Sequence, residues 1–387
     1  MLPGVITAAC ADTATGTITL GNVGPYSATG LGQIASSGRN TLNVWAAYVN
    51  AHGGICGRKV QMLIRDDQGN ASQHAAQVKD LVENQHVVAL VGEPNASSVS
   101  AEQSYLESKG VPVIGGDIAT GVWYKSPDYF PQGAQDNEIL YALFKAAQSR
   151  PNGNKIAFLY CAEVVTCSDS YHNVVNNHID QLAGSQVVYS KEDSLTQISF
   201  AAECQAAQQA GAGTMLAGGD SNFVEHVANS CGQQGLKFVY IVTALSIGED
   251  QKSNQYLNNN LITVAPIQIW TATNTPGVQA FHQAISQFGP GVEQTGGGMA
   301  IWVSAMVAQQ ALTTIGGGAV TPASVTDALH KIKDFTAGGS TGPLTFHPGA
   351  QSSGQCTGMA TLQNGAWAAA NGGSVSCRSG APLPMVP

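Results

Sequence analysis

The side chains and backbone groups best suited to chemistry in this sequence cluster at the ends of short apolar runs. The turn Gly92-Glu93-Pro94-Asn95-Ala96-Ser97-Ser98 follows one such run and opens a helical pattern. Free N–H groups around Asn95, Ala96 and Ser97, helped by the helix dipole, suit a carboxylate or another acceptor. A plain cap by Ser97 or Ser98 explains the hydroxyls equally well. Two similar loops, Gly24-Pro25-Tyr26-Ser27 and Gly116-Asp117-Ile118-Ala119-Thr120, are expected on the same sheet edge, where open α/β folds take ligands. The adjacent acids Asp66 and Asp67 end a strand, point in opposite directions and read as a turn cap or hydrogen-bonding pair. His172 and His178 lie on different faces of a helix and cannot share a metal. Gly30-Leu31-Gly32-Gln33-Ile34-Ala35 matches a dinucleotide fingerprint in letters only, because residues 24–29 separate it from the strand. The sequence holds no GxSxG elbow between a strand and a helix, no HExxH or GxxxxGK[ST] motif and no nucleophile paired with a base. It predicts a non-enzyme with no cofactor and no metal.

A chain of 387 residues is long enough for two lobes with separate sheets. Charged residues are only 11%, and 16 Lys+Arg stand against 25 Asp+Glu, which argues against a nucleic-acid partner. Eight cysteines without metal-site spacing suggest disulfides in an oxidising compartment. Pairing in sequence order joins Cys10 to Cys56, Cys161 to Cys167, Cys204 to Cys231 and Cys356 to Cys377. Thr7-Ala8-Ala9-Cys10 is similar to a lipoprotein cleavage site, so an extracytoplasmic chain anchored by lipid in its precursor is one expectation. No run reads as a membrane span.

The elements that must position these loops repeat as strand, turn and amphipathic helix, the pattern of parallel sheets with crossover helices. Strands are expected over residues 18–23, 60–65, 87–91 and 111–114, then in a second series over 156–159, 187–188, 214–216 and 238–242. Leu42, Trp45, Ala46 and Val49 share the core face of the first helix, which stops at Gly53-Gly54. The second helix follows Asn70 and presents Ala75, Val78, Leu81 and Val82. A long helix spans 299–312, and Gln363-Asn364-Gly365 marks a hairpin in the tail.

With TITLGNVGPYSATG, VNAHGGICGRKVQMLIRDDQGNASQ, VVALVGEPNASS, GVPVIGGD, GGDSNF, GQQGLKFVY and TGPLTF in this order, the chain resembles the leucine/isoleucine/valine-binding type of periplasmic solute-binding protein. The resemblance implies a type I periplasmic-binding-protein fold: two doubly wound parallel-sheet α/β lobes joined by a three-segment hinge near residues 130–133, 265–269 and 341–346. Lobe 1 would comprise 1–131 and 269–340, lobe 2 would comprise 132–268 and 341–387, and the ligand would lie between them. It further implies a monomer that hands a small molecule to ABC permease subunits, or alternatively a ligand-sensing domain. In amino-acid-binding relatives, hydroxyls and backbone groups of the first lobe hold the carboxylate, and an acid of the second lobe faces the ammonium. Here Ala96 and Ala119 stand at the hydroxyl positions and Ala244 at the acid position. Thr120 or Tyr26 could still contact a carboxylate. Asp117, Glu163 or Asp220, the last followed by Ser221, could supply the acid. Trp123, Tyr124 and Tyr26 could wall an aromatic ligand.

Overall fold

The computed structural model describes residues 4–28, 32–94, 98–348, 350–351 and 354–384. In the first sheet, β1 (Thr17–Gly24), β2 (Lys59–Asp66), β3 (Leu90–Glu93), β4 (Val113–Gly116) and β5 (Tyr129–Phe130) run parallel in the order β2-β1-β3-β4-β5. The connections carry α1 (Gly32–Ala51), α2 (Ala71–Glu83), α3 (Val99–Lys109) and the single turn α4 (Val122–Lys125). Leu42, Trp45 and Val49 of α1 are buried as their spacing requires, each contributing about 2 kcal/mol by leaving water. Asn70 caps α2, its side-chain oxygen accepting from Gln73 N at 2.9 Å, a contact that contributes ~1 kcal/mol. β3 is shorter than the expected 87–91, because Val87 N is spent on Leu81 O in closing α2.

The chain then enters a second sheet through α5 (Asp136–Ala147). Its parallel strands are β6 (Lys155–Cys161), β7 (Gln186–Asp193), β8 (Thr214–Gly218), β9 (Val239–Thr243) and β10 (Leu261–Ala265). Between them lie α6 (Val165–Asn177), α7 (Ile179–Leu182), α8 (Ala201–Gln209) and α9 (Ser221–Gln233). The order β7-β6-β8-β9-β10 repeats the winding of the first sheet, so each sheet reverses direction beside its first strand.

Next, α10 (Pro276–Phe288), α11 (Gly296–Ile315) and α12 (Pro322–Leu329) return to the first sheet, where α11 packs on α1, β3 and β4. By length and composition α11 is apolar enough to cross a membrane, although no run was expected to read as a span. It is instead a core helix, 89% of its apolar window being buried in the protein. The short ribbon β11 (Phe346–His347) and β12 (Ala350–Gln351) precedes the tail. There β13 (Cys356–Gln363) pairs antiparallel with β10, with β14 (Ala366–Ala369) and with β15 (Ser376–Cys377). Asn364-Gly365 turns the hairpin, both residues at positive φ.

Three segments cross side by side between the sheets. Ala134 N donates to Pro266 O at 2.9 Å, Gln268 N to Ser340 O at 2.8 Å and Thr341 Oγ1 to Gln132 O at 3.0 Å. Gly133 permits this approach, since a Cβ there would lie 2.3 Å from Pro266 O. All four disulfides pair in sequence order. The Cys10 sulfur, in the stretch similar to a lipoprotein cleavage site, is bonded to Cys56.

Candidate functional site

The C-terminal edges of the two sheets enclose a cavity of about 170 Å³. The first sheet contributes Pro25 after β1, Asp67 and Gly69 after β2, Pro94 and Ser98 after β3, and Gly116 with Asp117 at the end of β4. The second contributes Cys161 and Val164 from the end of β6, Leu195 after β7, Gly219 and Asp220 after β8, and Leu245 and Ser246 after β9. Gly297, Ala300 and Ile301 of α11 close one side, and Thr166 and Cys167 of α6 another. Most lining residues thus sit where a strand ends, as the winding dictates, and the rest belong to α1, α6 and α11.

Of the three aspartates lining this cavity, Asp67 is engaged by Gly69 N and His74, which leaves Asp117 and Asp220 to face it from opposite sheets. Asp117 donates its N–H to Glu93 O at 2.9 Å, and its Oδ1 accepts from Ala119 N at 3.0 Å. That geometry requires Gly116, whose φ of 153° holds β4 against Glu93; a Cβ there would lie 2.1 Å from Glu93 O. Asp220 caps α9, accepting from Phe223 N at 2.8 Å. Burial raises the pKa of both acids. A further acid, Asp136, not among the lining residues, opens α5 and accepts from Ser170 Oγ at 2.7 Å. Burial, and then the charge of Asp117, push it up to about 6. No Lys or Arg is among the described lining residues. A desolvated acid pair in a mainly apolar cavity favours an ammonium or a strong N–H donor, whose charge would relieve the cost of ionising the acids.

Behind the first-sheet wall lies a buried polar network. Asn22 donates to Val91 O and Gly92 O, both at 2.9 Å, and accepts from the Tyr26 hydroxyl. Glu93 Oε1 accepts from Val23 N at 2.8 Å. Asp67 accepts from Gly69 N at 2.7 Å through one oxygen and meets His74 Nδ1 at 2.7 Å through the other. His74 Nε2 lies 2.9 Å from Glu102 Oε2, and Tyr129 Oη donates to Glu102 Oε1 at 2.9 Å. Behind the second-sheet wall, Cys161–Cys167 ties the end of β6 to α6, and Glu163 gathers Ser194 Oγ and Leu195 N.

Of the residues singled out in the sequence, Asp117 and Asp220 line the cavity. Ala119 supports Asp117 by its N–H, with Thr120 beside it. Ser221 begins α9, and Ala244 is buried beside Gly296. Glu163 is an exposed brace and not the facing acid, because its carboxylate is occupied by the 194–195 turn. Tyr26 is also displaced from its expected role: its ring folds back on Asn22, and Pro25 forms the wall. Ile118, Trp123 and Tyr124 are corrected as well, since all three pack in the core of the first sheet. Trp123 is 0% exposed and meets Tyr129 edge-on at 5.2 Å, because α4 turns its indole inward. Asn95, Ala96 and Ser97 lie outside the described residues. Sequence reasoning gave Ser98 only as a helix cap and missed Thr166, Ser246 and the place of the Cys161–Cys167 disulfide in the cavity wall; the strand-end rule applied to the second sheet finds Cys161 and Ser246.

A family model described as periplasmic binding protein matches residues 17–366. No curated protein sequence matches significantly. Among solved structures, an extracellular ligand-binding receptor from Verminephrobacter eiseniae is similar at 19% identity and TM-score 0.79, over 91% of this chain and 99% of that one. A fatty acid ABC transporter substrate-binding protein from Thermomonospora curvata aligns at 15% identity and TM-score 0.81, over 99% and 98%. A branched chain amino acid ABC transporter from Thermus thermophilus with bound valine aligns at 13% and 0.80, over 95% and 98%. With a family match spanning most of its length and a cavity built from the strand ends of two identically wound sheets, this chain belongs to the periplasmic binding protein family.

Proposed function

We propose that the chain is an extracytoplasmic solute-binding protein that closes on a small, amino-acid-like molecule bearing an ammonium group and delivers it unchanged to an ABC importer. The observation that carries the ligand class is the pair Asp117 and Asp220, placed on opposite walls of one cavity with no described Lys or Arg beside them. The apolar part of the ligand rests on Ile301, Leu195 and the Cys161–Cys167 disulfide. Ser98, Thr166 and Ser246 offer hydroxyls to its polar edge.

The moving bodies are residues 1–131 with 269–340 and residues 132–268 with 341–387. The packing of α11 on β3 and β4, and of β13 on β10, supports this division. The crossing segments at 132–134, 266–268 and 340–341 serve as the hinge. The ligand selects the closed state because only there do both acids reach it.

A thermal-shift panel of amino acids, amines, polyamines, carboxylates and amides tests this reading. A true ligand at 100 times its Kd adds ~2.7 kcal/mol of stability. Ammonium-bearing compounds should shift the melting temperature and be recovered intact. Asp117→Asn should abolish the shift. Stabilisation by simple carboxylates alone, or turnover of the stabilising compound, contradicts the proposal.

A further inference from the structure

We propose that His74, Glu93 and Glu102 form a binding site for one divalent transition-metal ion, set behind the ligand cavity in the first sheet's half of the molecule. Their donor atoms lie within 4.8 Å of one another, and all three residues are fully buried. His74 Nε2 and Glu102 Oε2 are 2.9 Å apart, close to the roughly 3.0 Å between neighbouring ligands on an octahedral ion with ~2.1 Å bonds. The second observation is Glu93. Its Oε1 is held by Val23 N, but its Oε2 is buried without a hydrogen-bond partner and belongs to the same cluster. An orphan carboxylate oxygen in an apolar interior is costly, and a cation is the partner that removes the cost.

The surroundings are built as a metal site's supports are. Asp67 Oδ2 meets His74 Nδ1 at 2.7 Å, the carboxylate–histidine arrangement that fixes the ring and turns Nε2 toward a metal. The Tyr129 hydroxyl does the same for Glu102 through Oε1. One imidazole with two carboxylates suits Zn²⁺, Mn²⁺ or Fe²⁺. A metal ligates only through deprotonated donors, so binding here would take the proton between His74 Nε2 and Glu102 and leave both carboxylates ionised. The ion would fasten α2, α3 and the end of β3, the elements that carry Asp67, Pro94 and Ser98 to the cavity.

The test uses the full chain without an affinity tag, unfolded in chelator and refolded with Zn²⁺ or Mn²⁺ alone. Elemental analysis after desalting should find close to one equivalent, and zinc-edge X-ray absorption should show an all N/O shell with a single imidazole. Glu93→Gln, nearly isosteric and free of the buried charge, should fold and retain less than a tenth of the metal. A metal-free refolded protein, or equal metal in Glu93→Gln, overturns the proposal. Should that variant not fold, ¹⁵N spectra of the wild type with saturating Zn²⁺ decide: a His74 ring protonated on both nitrogens overturns it, and one lacking the Nε2 proton supports it.

Discussion

The two halves of the cavity wall share one winding and differ in how their strand-end loops are held. In the first half the brace is polar: Asn22, Glu93 and the chain Asp67–His74–Glu102–Tyr129 link the ends of β1, β2 and β3 through α2 and α3 to the start of β5 without a covalent bond. In the second half it is mainly covalent: Cys161–Cys167 stands at the wall beside the exposed Glu163 brace, and Cys204–Cys231 joins α8 to α9 behind it. The lesson is that a doubly wound sheet dictates where loops meet but leaves open what rigidifies them. A buried charge network ties rigidity to protons and cations, whereas disulfides tie it to redox state.

The largest expected effect comes from breaking the polar brace. His74→Ala leaves Asp67 and Glu102 buried without their shared partner and should cost ~3–5 kcal/mol, measured by urea unfolding. A loss below 1 kcal/mol would mean that the network is not a brace. Replacing both Cys204 and Cys231 by Ala opens a disulfide between buried residues of α8 and α9 and should cost roughly 3 kcal/mol on the chain-entropy estimate, read in the same assay. That variant should leave ligand affinity nearly unchanged. Replacing Cys161 and Cys167 by Ser should show the reverse balance. The closed loop is short, so stability falls by about 2 kcal/mol, but the wall itself changes and ligand affinity drops about tenfold by calorimetry.

The smallest effect separates the halves by pH. Asp136 has a folded pKa of about 6, raised above its unfolded value by burial and by Asp117. The native chain therefore binds the extra proton between the two values, and ligand-free stability declines as pH rises through about 6. A cationic ligand that draws on these acids should bind severalfold more tightly at pH 7 than at pH 5. Affinity independent of pH over that range would remove Asp117 and Asp136 from the binding energetics.

Much of the fold was legible because apolar runs and capped helices repeat with the right period; even the in-order cysteine pairing follows from elements that are neighbours in sequence. The site was legible only as strand ends. Asp117 was found because it follows a strand directly, and Asp220 because the family resemblance called for an acid on the second lobe. Trp123 misled because a four-residue helix turns it into the core, which no periodicity reveals over one turn. Asp136 looked like an ordinary first-turn acid, and its nearness to Asp117 arises from the crossing segments, a contact set by tertiary structure alone. His74 did leave a signal: with Val78 and Leu81 it makes an i, i+4, i+7 core stripe on α2, and a histidine there needs buried partners.

The central claim is capture by closure between Asp117 and Asp220, and small-angle X-ray scattering tests it most directly. Scattering would be recorded without ligand and with a saturating amount of the ammonium compound that most raises the melting temperature. The account predicts a smaller radius of gyration with that compound, and no change for Asp117→Asn. An unchanged radius in the wild type, despite saturating binding, would contradict closure as the mechanism.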